Sequence, residues 1–128
     1  MPRLLLAAAI LAAFTAAIHI FAGTPEIAKP LLRSVLPAEL RLLLYACWHV
    51  VSLALVFSAG ALAMAARSRN AARYQPMVRL VSWQWIAFGL VFIAVGGLHS
   101  GGTMLLQLPQ WMLLLPVGLL GLWGSRRQ

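Results

Sequence analysis

The sequence predicts an all-α integral membrane protein, a four-helix bundle, and three observations lead there. Of the 128 residues 62% are hydrophobic and only 9% charged, whereas a soluble domain carries about a quarter of its residues charged to wet its surface. The mean hydropathy is +0.90, which excludes a disordered chain as well. Four apolar stretches, 4–23, 41–66, 80–100 and 103–124, are each long enough to cross the hydrocarbon as a helix, which takes about 20 residues. Residues 1–128 are therefore expected to form a single transmembrane domain with no separate soluble unit.

The first stretch begins directly after Arg3 and runs without charge through His19 to Gly23. That is longer than the apolar run of a usual secretory signal, so it reads as a true span. The segment from Thr24 to Arg41 is more than a plain loop. Thr24-Pro25-Glu26 has the residue order of a helix start, with a cap, a first-turn proline and an acid. Ile27, Leu31, Leu32, Val35 and Leu36 then alternate with Lys29, Arg33 and Ser34, which predicts a short helix in the outer interface between spans one and two. Leu36-Pro37-Ala38-Glu39 is a second start, opening the second span.

The third span follows a basic loop at 67–79. Ser100-Gly101-Gly102 then forces spans three and four to be antiparallel neighbours. Pro109 and Pro116 lie within the fourth stretch and are expected to kink it or free backbone carbonyls.

Charge sets the orientation. With four spans, Arg3, Arg67, Arg69, Arg73, Arg79, Arg126 and Arg127 share one side with no acid, a balance of +7. Lys29, Arg33 and Arg41 oppose Glu26 and Glu39 on the other, a net +1. The positive-inside rule places both termini in the cytoplasm, N-in and C-in, as in a bacterial inner membrane. A pI near 11.7 would point to nucleic acid in a soluble protein, but here orientation and anionic lipid heads account for the basic residues.

Small and polar residues mark where helices approach in lipid. Ala8, Ala12 and Ala16 form one row on span one, with Thr15, His19 and Gly23 beside it. His49, Ser52, Val56, Ala59 and Ala63 share a face of span two, and Ser82, Trp85, Gly89, Phe92, Gly96 and His99 a stripe of span three. Each of the three helices thus carries one histidine on a stripe expected to face inward.

Histidine within a membrane is a functional hypothesis by default. His19 lies about 6 Å inside the end of span one at the helical rise, and His49 sits one turn below the interface residue Tyr45, again about 6 Å. His99 ends span three, so all three belong to the outer half of the bilayer. Converging, His19, His49 and His99 would hold zinc or copper, with Met104 as a soft fourth ligand. Alternatively, His49 and His99 would be axial ligands of a haem b. Glu26, Gln107 and Gln110 are the polar groups at that depth able to support such a site from behind. Cys47, the one cysteine, points about 200° away from His49 on a helix and stays outside the set. Hydrogen bonding across helices is the plainer account of an interfacial histidine.

An enzyme is the weakest reading. There is no aspartate, no paired acid and no second thiol, so a Ser-His-Asp triad, a carboxylate pair or a redox dithiol lacks its parts. The function expected first is a small four-span inner-membrane protein binding a transition metal or haem b at an outer histidine cluster. The alternatives are an accessory or assembly subunit of a larger membrane complex, and a small dimeric transporter. The partners expected are the lipid bilayer and either a second copy or a larger complex, with no nucleic acid. The Trp83, Gln84 and Trp85 patch just inside Arg79 reads as an aromatic interface belt, and Trp111 as another belt residue.

Overall fold

The computed structural model describes residues 2–68, 71–100 and 103–126; the side chains of His99, Ser100 and Met104 and the Gly101-Gly102 turn lie outside that description. Every regular element among the described residues is helical. Three helices are long and apolar enough to cross a membrane: Arg3–Leu32, Ala38–Arg67 and Ala72–Leu98.

The first is helical without interruption. Helix α1 (Pro2–Ala17) passes into π-helical turns at Ile18–Ala22 and Thr24–Ala28, joined by a right-handed Gly23, and then into α2 (Lys29–Leu32). Pro25 and Pro30 supply no backbone N–H and crowd the carbonyls four residues back, so the helix widens instead of breaking. Gly23 N–H bonds Ile18 O and Lys29 N–H bonds Thr24 O, each five residues back. Pro25 leaves the carbonyl of Ile20 without a donor in that register, and the Thr24 hydroxyl donates to it.

The expected helix start at Thr24 and the separate interfacial helix are thereby corrected. Thr24 back-bonds within a continuing helix rather than capping a new one. The true break lies at Arg33–Leu36, closed by Ser34 N–H and hydroxyl bonds to Leu31 O.

Pro37 then caps α3 (Ala38–Arg67) from an extended conformation, with Glu39 in the first turn, as the sequence predicts. Helix α4 (Ala71–Ser100) starts earlier than expected and takes up most of the supposed 67–79 loop. Pro76 sits in its second turn, where the missing N–H frees only a carbonyl close to the helix end. The fourth apolar stretch is divided into α5 (Met104–Gln107) and α6 (Trp111–Arg126), with the break at Leu108–Gln110.

Helix α6 lies between α1 and α4, while α3 packs along α1 and touches α4 more sparingly. The α4–α6 pair is antiparallel: Gln75 Nε2 bonds Ser125 O at 2.9 Å, Gly89 faces Leu115 and Gly96 faces Leu105. Between them Gly118 approaches Ser82 O and Ile86, and Gly121 meets the Ser82 hydroxyl, too close for any side chain. Such close backbone approach is how helices gain dispersion energy where no hydrophobic force joins them.

The buried residues gather at one end. Leu5, Ala8 and Ala12 of α1 meet Leu55 and Leu62 of α3, Val78 and Trp85 of α4, and Leu114 and Val117 of α6. Arg3, Arg67 and Arg126 ring the same end. The described residues of the expected rows on spans one and three are buried or half-buried; of the expected row on span two Ala59 is buried and Ser52 and Ala63 are half-buried, but its other two residues turn outward. Leu55, Ser58, Ala59, Leu62 and Ala65 point inward, whereas His49 and Val56 are exposed. A helix apolar on every side carries no signal in its pattern to fix which side turns in.

Candidate functional site

Two places on the molecule gather polar groups between helices. The first is the end of α1 and the start of α3, where the histidines were expected. His19, in the first π turn, stacks flat on Trp48 with ring centroids 3.9 Å apart and an 18° interplanar angle. Its Nε2 lies 3.5 Å from Trp48 O, a long contact. Trp48 fits there because Gly23 leaves it a notch: a Cβ at residue 23 would stand 2.5 Å from the indole.

His49, the next residue, turns about 100° further round the helix. It is exposed, with its ring edge-on to Tyr45 at 4.6 Å and 84°. His99 closes the last turn of α4 and Met104 opens α5, but their side chains lie outside the described residues.

Glu26 and Gln107 are exposed, as is Cys47. Gln110 is half-buried at the α5–α6 break, and its Oε1 is sealed from solvent without a hydrogen-bond partner. Among the described residues no three of His, Cys, Asp or Glu come together as a metal ligand set.

The second place is a groove of about 320 Å³ along the seam of α3 and α4, lined by Ala54, Phe57, Ser58, Ala61, Val81 and Gln84. Its floor is fixed by a buried polar pair. Trp85 is fully buried and its indole donates to Ser58 Oγ at 2.9 Å, while Ser58 donates in turn to Leu55 O at 3.0 Å. Every polar atom of that pair is satisfied, as a low-dielectric interior requires.

Gln84 is turned about 100° from Trp85 on the helix and lines the groove half-buried. Among the described residues its amide has no hydrogen-bond partner. Within this patch Trp83 is 58% exposed, whereas Trp85 is a core residue, so the belt reading fails for Trp85. Trp111 is half-buried, and its indole donates to Leu105 O at 3.0 Å.

Sequence reasoning named Gln84 but missed the groove. The available signal was the pairing of Ser58 with a tryptophan on the next span, and sequence spacing alone does not reveal which spans adjoin. Comparison with protein-family models, with curated proteins and with solved structures finds no match for this chain.

Proposed function

We propose that this chain is a small inner-membrane protein, a four-helix bundle with both termini cytoplasmic, that acts as an accessory or assembly subunit by seating another membrane helix. The single observation carrying this reading is the α3–α4 groove lined by Gln84, whose amide has no hydrogen-bond partner among the described residues. An amide left in hydrocarbon without a partner is costly, and a helix laid into the groove relieves that cost.

The bundle interior supports the same reading. Among the described residues its buried polar side chains are Thr15, Ser58, Ser82 and Ser125, all hydroxyls bonded to carbonyls of their own helices. Nothing in that set suits proton relay or acid–base chemistry. A photoreactive residue at Ala61 is expected to give one discrete protein adduct in the native membrane. The same residue at Phe21, 78% exposed on the far side of the first helix, should label only lipid. No protein adduct at Ala61 would sink the reading.

The second reading is a metal ion or haem b at His19, His49 and His99. One observation favours it: Trp48, stacked on His19, directly precedes His49, so two histidines lie at one level on adjoining helices. Stoichiometric metal or a Soret band in protein purified in mild detergent, lost in His49→Ala, would establish it.

A further inference from the structure

Arginine and tryptophan meet at one end of the α4–α6 seam, on the side turned away from the core. An open depression of about 390 Å³ there is lined by Leu119, Leu122, Trp123 and Arg126, which share the outward face of α6 at helical spacing. Trp123 is 56% exposed, and Arg126 closes the last turn of the helix.

Helix α4 brings a second arginine and a second tryptophan to the same flank. Gln75, Ser82 and Ile86 face α6, while Val81 and Trp85 turn into the core. Trp83 is turned about 100° from Ser82, away from Val81 and Trp85, and Arg79 lies one turn from both Gln75 and Trp83. Both therefore stand on the outer flank of the seam, and both are exposed. Gln75 is level with Ser125 and Ser82 with Gly121, which puts Arg79 level with Leu122.

Charge decides what this flank accepts. The lining and its α4 border hold two arginines and no acid; the two acids of the chain, Glu26 and Glu39, lie at the opposite end of the bundle. An apolar helix laid here would bury guanidinium groups without a counter-ion, which is costly. A phosphate diester supplies the anion and matches the guanidinium fork. Direction fits as well. From Arg126 the lining runs through Leu122 to Leu119, from the headgroup end of the helix towards the middle of the bilayer, as a lipid does. Trp123 suits the level between, with a polar indole N–H and apolar rings.

We propose that this flank is a discrete site for one anionic phospholipid. Its phosphate is held between Arg126 and Arg79, and its acyl chains lie along Leu122 and Leu119. A zwitterionic lipid binds less well, because its own ammonium competes with the arginines for the phosphate. The site is separate from the α3–α4 groove and does not depend on a helix docking there.

Native mass spectra of the full-length chain in dodecyl maltoside with equal phosphatidylglycerol and phosphatidylcholine read the site directly. One phosphatidylglycerol per chain should be retained in preference to phosphatidylcholine. Arg126→Gln and Arg79→Gln should each weaken that retention about fivefold, the worth of one arginine at a membrane surface. Arg67→Gln removes the same charge from the same end, but on α3, and should leave retention nearly unchanged. Leu119→Trp, at a position 57% exposed, fills the depression and should lower retention without removing charge. All four side chains are exposed, so each variant should keep the native helical content by circular dichroism.

Equal retention of the two lipids would overturn the proposal. Equal losses from Arg67→Gln and Arg126→Gln would also overturn it, since net charge and not a site would then be at work. A protein adduct from a photoreactive residue at Leu119 in the native membrane would give this flank to a partner helix and overturn it too.

Discussion

The indole of Trp111 donates to the carbonyl of Leu105 at 3.0 Å, and that carbonyl is the one Pro109 leaves without its helical donor. Proline at residue 109 removes the N–H that would bond four residues back, and in hydrocarbon no water replaces it. The side chain two residues later supplies the missing donor. The break between α5 and α6 is thus closed from within, which is why this stretch tolerates a proline in its middle.

Trp111→Phe is accordingly expected to lower stability by about 1 kcal/mol, the net worth of one such bond. Pro109→Ala restores the backbone donor, so Trp111→Phe should cost markedly less on that background. Denaturant titration of the four variants in one detergent reads the cycle; strictly additive losses would show that the indole is not standing in for the proline.

Two glycines of α6 give a sharper test, because their obstacles differ. At Gly121 an added Cβ collides with the Ser82 hydroxyl, but at Gly118 it meets the Ser82 carbonyl at 2.6 Å. Each alanine variant should cost about 1–3 kcal/mol through overpacking. Ser82→Ala should rescue Gly121→Ala and leave Gly118→Ala unrescued, since only the first obstacle is a side-chain oxygen. Equal rescue of both would mean that α4 and α6 do not adjoin in this register.

The buried Trp85–Ser58 bond ties α3 to α4, which pack on one another more sparingly than the other neighbouring long helices do. A double-mutant cycle of Trp85→Phe and Ser58→Ala should return a coupling near 0.6 kcal/mol and no more than roughly 1.7, the range found between membrane helices. Zero coupling in unfolding measurements would remove the bond from the account of this seam.

At the other end, Gly23→Ala places a methyl group against the Trp48 ring, 2.5 Å from its nearest carbon. Trp48 must then leave its notch and uncover His19. The readout is the proton shift of the His19 ring, moved upfield by the stacked indole in the native chain and returned towards its free value in the variant. Trp48→Leu should produce the same free value, and a shift untouched by either change would mean that the rings are not stacked.

Composition and hydropathy suffice to read an all-helical chain with spans suited to a bilayer, and the short Ser100-Gly101-Gly102 sequence between spans three and four suffices to predict the antiparallel α4–α6 pair. The small-residue rows of spans one and three were legible because alanine, serine and glycine stand out against leucine. Span two was legible only in part, with Ala59 facing inward but His49 and Val56 outward, because it is apolar all round and a histidine and a few small residues were too little to choose its inward side. Thr24-Pro25-Glu26 misled for a local reason: the residues that begin a helix also serve a helix that widens around a proline. Of the candidate site, the level of His19 and His49 was readable from residue counting. Their directions were not, because His19 is turned by the notch that Gly23 opens for Trp48, and that notch exists only once α1 and α3 lie side by side.

Gly124 packs on Leu5: a Cβ there would stand 2.9 Å from the leucine Cδ2. The last helix therefore lies against the first, and the helices α1, α3, α4 and α6 follow one another in a closed cycle of neighbours. In such a cycle the covalent starting point is one choice among several. A chain linked from behind α6 to ahead of α1 and reopened between α3 and α4 would present the same neighbours in the same order, so the architecture belongs to the circle of helices more than to the direction in which it is strung.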